Sequence, residues 1–235
     1  MKALKILRNK VIAFTVVVMA TFGMTASPLL AGSSDFTGIY GALHASVNGV
    51  SMAGKYIDKD SDVTGGTAGA IVPLAGFEIG VNLPIGPNFF VSIGTSMVSG
   101  EADVFNAKDS EDNNTVTVQA SDYSEVYIQP SISIWDNTAV FVKYGKNHAN
   151  LEAFGDVTSQ PDDLTGQSYG IGTQTMTNSG LFIKTEAGAT VYDHFKLTGL
   201  NTSGNGDGNN TSTNGSMVEG DPLAAYGKVT IGFKF

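Results

Sequence analysis

The chain has 235 residues, a formal net charge of −9, 42% hydrophobic and 15% charged residues, 29 Gly, 7 Pro and no Cys. That length suits one domain or at most two. Without Cys there is no disulfide framework, thiolate metal site or Cys nucleophile; the acidic balance argues against a nucleic-acid-binding face; and beyond the N-terminus no apolar run supports a multi-helix membrane protein.

In chain order, the first element is an export address. Lys2, Lys5, Arg8 and Lys10 precede an uncharged stretch, 11–34, whose first half is strongly apolar. A basic start, a short apolar segment and a small-residue exit describe a secretory signal peptide, expected over residues 1–31 and cleaved. Ala31 is the expected cleavage point, with Ala26 or Ser27 as alternatives. An uncleaved anchor is the competing reading, but Thr15, Thr21, Gly23, Thr25, Ser27 and Pro28 dilute the second half of the stretch. Removing four basic residues from 13 leaves 9 against 22 acidic ones, a net charge of −13, and no Arg.

The remainder, 32–235, alternates with the period of two that marks strands. Ile39, Leu43, Ala45 and Val47 oppose Tyr40, Ala42, His44 and Ser46. Ala75, Phe77, Ile79, Val81 and Leu83 oppose Glu78 and Asn82, and Phe89, Val91, Ile93 and Met97 oppose Phe90, Ser92 and Ser96. Val116, Val118, Ala120, Val126, Ile128, Pro130, Ile132 and Ile134 share one parity against Glu125, Tyr127, Gln129, Ser131 and Ser133. Val140, Val142 and Tyr144 oppose Lys143; Tyr169 and Ile171 oppose Gly170 and Gly172; Leu181, Ile183, Ala187, Ala189 and Val191 oppose Lys184 and Glu186. Last, Leu223, Ala225, Val229, Ile231, Phe233 and Phe235 oppose Tyr226, Lys228 and Lys234. Eight strands are thus expected. Short connections at 84–88, 136–138 and 177–180 carry turn residues and alternate with long ones at 48–68, 101–115, 149–168 and 193–222.

A soluble sandwich and a membrane barrel both satisfy this alternation. The barrel is favoured because the chain is exported and because short and long connections segregate to opposite ends. It is favoured too because the charges Glu78, Glu125, Lys143, Lys184, Glu186 and Lys228 fall on the parity opposite the apolar one. A closed barrel also satisfies every backbone polar group, which lipid demands. The expected fold class is all-β, an eight-stranded antiparallel up-and-down transmembrane β-barrel preceded by a cleaved signal peptide.

The ending Val229-Thr-Ile-Gly-Phe-Lys-Phe235 resembles the terminal signal of bacterial outer-membrane barrels, with Val229, Ile231, Phe233 and Phe235 at its alternate positions. With eight strands before it, the chain resembles the small eight-stranded outer-membrane β-barrel superfamily of OmpA-, OmpX- and Opa-type proteins. Phe36-Thr-Gly-Ile-Tyr-Gly, Val140-Phe-Val-Lys-Tyr-Gly and Leu181-Phe-Ile-Lys-Thr-Glu-Ala look like strands of that superfamily. Lys184 stands where relatives often carry Arg, so bidentate pairing is lost there. The resemblance implies a Gram-negative outer membrane, recognition by the barrel-insertion machinery and periplasmic chaperones, contact with lipid and lipopolysaccharide, and a monomer.

An eight-stranded barrel is just wide enough for side chains to fill. Three inward carboxylates and three inward ammonium groups sum to zero, so an ion-paired plug is expected, with a narrow pore gated by those pairs as the alternative. Tyr40, Phe90, Tyr127, Phe182 and Tyr192 are expected beside them. The excess acid then lies in loops such as Asp58-Lys-Asp-Ser-Asp62, Asp109-Ser-Glu-Asp and Asp162-Asp163, read as a solvated surface. Val63 replaces the Gly of a calcium loop, so no metal site is expected. His44 and Ser46 share an inward face, while His148 and His194 lie near strand ends; none forms a recognisable catalytic set, and no cofactor motif is present. The expected function is structural or surface-interacting, through outer loops meeting an unknown extracellular partner, with a small-solute porin as the alternative.

Overall fold

The computed structural model describes residues 33–57, 63–98, 100–108, 115–155, 160–198 and 217–235. The expected signal peptide, the acidic segments at 58–62 and 109–114 and the Asn-Gly-Thr-Ser tract at 201–214 lie outside these residues. The described residues form ten strands: β1 (Gly38–Ile57), β2 (Val63–Pro84), β3 (Phe89–Val98), β4 (Ala102–Lys108), β5 (Thr115–Trp135), β6 (Thr138–Gly155), β7 (Leu164–Met176), β8 (Leu181–Tyr192), β9 (Phe195–Thr198) and β10 (Met217–Lys234). They make eight wall strands. β3 and β4 are the two halves of one, interrupted around Gly100, and β8 and β9 the two halves of another; both β4 and β3 pair with β5, and both β8 and β9 with β10. Every pairing is antiparallel, and β1 pairs with both β2 and β10, which closes the barrel.

The alternation faces as lipid requires. Ile39, Leu43, Phe77, Ile79, Ile93, Val126, Ile183, Val229 and Ile231 are exposed on the outside, while Glu78, Glu125, Lys143, Lys184, Glu186 and Lys228 are buried inside. The outward set is an apolar belt bounded on the short-turn side by Trp135, Phe233 and Phe235, the aromatic edge usual at a membrane interface. The short turns at that end are tight. Ile85 N–H bonds to the Phe89 carbonyl at 2.9 Å, and Gly180 N–H to that of Thr177 at 3.0 Å. Gly180 has φ +88°, and a Cβ there would sit 2.8 Å from the Lys234 carbonyl, so only glycine fits.

Two expectations about the other end are corrected. Strands run into all four long connections: β1 and β2 stay paired from Gly38–Asn82 to Ile57–Val63, and β5 and β6 from Trp135–Thr138 to Val116–Gly155. Above the belt the outside meets water, so the outward apolar signal disappears although the backbone ladder continues. The hydrophobic parity in fact inverts there. On β6 the inward Ala149, Leu151 and Ala153 are buried, and the outward Lys146, His148, Asn150 and Glu152 are exposed.

The single parity read from Val116 to Ile134 is the second correction. Ser121 pairs with Asn150 but Ser124 with His148, so Asp122 and Tyr123 together oppose Ala149. This is a β-bulge, with Asp122 in the left-handed region at φ 51°; Asp tolerates that region better than most residues. The extra residue switches faces. Val126 and Ile128 point to lipid, whereas Val118, four positions before the bulge, is 1% exposed inside. There it packs with Leu151, Ala153, Phe195 and Leu197.

Candidate functional site: a charged ladder beneath an apolar cavity

The lumen is built in three tiers. At the short-turn end, Ser33–Asp35 forms a single 3-10 turn tucked under the mouth. Ser33 N–H bonds to the Pro87 carbonyl at 2.6 Å and its hydroxyl to the Gly86 carbonyl at 2.5 Å. This brings Phe36 into the barrel, where it stacks on Phe90 with ring centroids 4.9 Å apart. Tyr40, Ala139, Met176 and Phe182 complete an apolar base.

Above the base stands an alternating ladder of charge. Lys184 pairs with Glu78, and Glu78 with Lys228 at 3.7 Å. Lys228 reaches Glu186 at 3.1 Å, Glu186 reaches Lys143 at 2.5 Å, and Lys143 reaches Glu125 at 3.0 Å. The structure thus brings together all six charged residues singled out in the sequence, from β2, β5, β6, β8 and β10. Each interior rung lies between two partners of opposite sign. Such pairing offsets the several kcal/mol per ion that burial costs. Neutral groups saturate the carboxylates further: Tyr226 donates to Glu186 Oε1 at 2.5 Å, and Ser168 donates to Glu125 Oε1. Rings pack against the ammonium groups, with Lys143 Nζ 5.5 Å from the Tyr127 centroid and Lys184 Nζ 5.0 Å from that of Tyr40. Both distances lie within cation–π range. The two tyrosine hydroxyls meet at 2.5 Å.

Several of these contributors were invisible in the sequence. Ser168 lay in an expected loop, and nothing about Tyr226 distinguished it from other strand residues. The inward glycines are also part of the site. A Cβ at Gly94 would fall 2.6 Å from the Tyr127 Oη, one at Gly145 2.5 Å from Glu125 Oε1, and one at Gly170 2.7 Å from Glu186 Oε1. Inward glycine at the level of inward charge was the available signal.

The third tier lies toward the outer loops. A cavity of about 140 Å³ sits above the ladder. Its walls include Val50, Met52, Val72, Leu74, Val118 and Leu151, and its floor includes Glu125, Lys143, Lys228 and Tyr226. The lumen expected to be filled throughout thus holds a cavity in its outer half. Tyr192, expected with the packed aromatics, lines this cavity instead.

Beside the cavity the wall is less completely hydrogen-bonded. The β2–β3 ladder stops at Gly76–Val98. Among the described residues, 63–75 of β2 pair with β1 alone and β4 pairs with β5 alone. Both edges of this seam line the cavity, Gly69, Val72 and Leu74 on one side and Val98, Gly100 and Ala102 on the other. On the outside the β2 edge carries Ile71, 79% exposed.

The histidines fall into ordinary polar settings. His44 Nε2 lies 2.9 Å from the Ser96 hydroxyl, whereas Ser46 accepts from Asn48 at 3.0 Å. His44 Nδ1 is buried without a hydrogen-bond partner, so no carboxylate orients it as a catalytic base would need. His148 lies 3.2 Å from Asn150, and His194 3.1 Å from Asp221, both at the exposed outer end. No group of His, Asp and Glu suited to a metal ion occurs among the described residues. Val229, Ile231, Phe233 and Phe235 lie in outward register on β10 and beyond it, all exposed.

Comparison with family models and with curated proteins gives no match. The outer membrane protein OprG from Pseudomonas aeruginosa is similar in structure, with a TM-score of 0.50 at 13% identity, covering 85% of this chain and 97% of that one. Outer membrane protein AlkL, solved by solid-state NMR in DMPC bilayers, gives 0.47 at 11% identity, covering 90% and 94%. Neisserial surface protein A gives 0.39 at 8%, covering 81% and 97%. With its closed antiparallel wall, its outward apolar belt and a fold like that of OprG, this chain has the fold of a small eight-stranded outer-membrane β-barrel.

Proposed function

We propose that the barrel takes small apolar molecules into its outer half and exchanges them with the membrane at the foot of the β2–β4 seam, where the outward Phe77 and Met97 form the upper edge of the apolar belt, while the ladder blocks passage along the axis. The observation that carries this is the apolar cavity, which lies over a closed ionic floor and is lined by both edges of the seam. Its volume of about 140 Å³ suits one small molecule; an engineered apolar cavity of about 150 Å³ stays dry and binds benzene. Uptake of a small apolar fluorophore by whole cells tests it. Cells carrying the chain take up the probe faster than cells lacking it, and Val118→Trp, which fills the cavity, returns uptake to the lower rate. Equal rates in all three overturn the reading.

A structural or contact role through the outer loops is the second reading. It is favoured by strand length: β1 and β2 have 20 and 22 residues, against the roughly 9–11 a tilted span needs, so the wall stands well clear of lipid. In either case the mature chain follows removal of residues 1–31. The C-terminal Val229, Ile231, Phe233 and Phe235 serve recognition by the insertion machinery. The folded barrel works as a monomer among lipid and lipopolysaccharide. It performs no covalent chemistry.

A further inference from the structure

We infer that the preferred occupant of the cavity is an uncharged amphiphile, a small apolar body with one hydroxyl-like end, of which phenol is the simplest example. This rests on the cavity reading above and names its ligand class. The walls are apolar, but the lower part of the lining is polar: Glu125, Lys143 and Lys228 from the ladder, then Asn48, Ser46 and Tyr123. A pure hydrocarbon seated against these groups would remove their water and return no hydrogen bond.

A charged ligand fits no better. Lys143 already serves Glu125 and Glu186, and Lys228 serves Glu78 and Glu186. The six ladder charges cancel, so a carboxylate or ammonium added from above would be a seventh buried charge without its own counterion. A neutral hydroxyl avoids both costs. Asn48 commits its amide N–H groups to Ser46 Oγ at 3.0 Å and the Val72 carbonyl at 3.3 Å. Its Oδ1 is left to accept, and the Tyr123 phenol and Ser46 hydroxyl can donate or accept.

Three ligands sharing one ring separate the possibilities: benzene, phenol and benzoate at neutral pH. They are titrated against the purified barrel in lipid nanodiscs while the Val118 and Leu151 methyl resonances are followed, with empty nanodiscs correcting for partition into lipid. Phenol is expected to bind about five-fold more tightly than benzene, the worth of one neutral hydrogen bond, and benzoate more weakly than either. The combined variant Asn48→Leu, Tyr123→Phe is expected to erase the phenol advantage. Benzene or benzoate matching phenol, or a phenol advantage that survives the combined variant, overturns the ligand class while leaving the cavity reading intact. Failure of all three ligands to shift the methyls overturns both.

Discussion

The inner and outer halves of this barrel use one wall in opposite ways. In the inner half the outside is apolar and the inside carries six charges; in the outer half the outside of β6 carries Lys146, His148, Asn150 and Glu152, and the inside is lined by Val118, Leu151, Ala153, Phe195 and Leu197. The inner half is a membrane protein and the outer half is organised like a soluble barrel, with the change falling where the wall leaves lipid. Filling and facing are therefore separate properties of the wall. Charge in the inner half demands partners, so its interior side chains are drawn together in pairs. The outer interior demands nothing that specific, and there a cavity persists.

The two halves should differ most in their response to substitution at the ladder. Glu78→Ala leaves Lys184 with no carboxylate and Lys228 with one. A loss of about 3–5 kcal/mol is expected for an uncompensated buried charge, measured by urea unfolding in lipid vesicles through the fluorescence of Trp135. Overpacking the same half comes next. Gly94→Val places atoms where Tyr127 Oη already sits, and should cost about 1–3 kcal/mol by the same measurement. The bulge joins the two halves, so Asp122→Val, a β-branched residue at φ 51°, should cost about 1–2 kcal/mol. The smallest effect belongs to the outer half: Ala120→Leu projects toward the cavity and should change stability by less than about 0.5 kcal/mol, because vacant space accepts the added methylenes. A cost equal to that of Gly94→Val would show that the halves do not differ in packing.

The sequence made the inner half legible because lipid imposes one rule on every strand. Wherever the wall meets hydrocarbon, the apolar parity is outward and polar side chains are left on the other face. Glu78, Lys184 and Lys228 could therefore be assigned to the lumen from position alone. The outer half was illegible for the same reason. Val50, Met52 and Leu151 carry their hydrophobicity inward, so a search for outward apolar residues reads their segments as loops. The bulge hid more. Val116, Val118 and Ala120 are in phase with Val126 and Ile128 when counted along the chain, and only the pairing of Ser121 with Asn150 and Ser124 with His148 reveals the change of face. Spacing cannot report an extra residue whose backbone turns left-handed. Which carboxylate meets which ammonium was also beyond reach, since the order of the rungs depends on stagger between strands distant in sequence.

Closure of the inner lumen is tested most directly by single-channel conductance of the purified, folded barrel in planar bilayers at neutral pH. The ladder and the Phe36–Phe90 base predict a baseline without lasting steps. Stable, long-lived open levels of uniform size would contradict it.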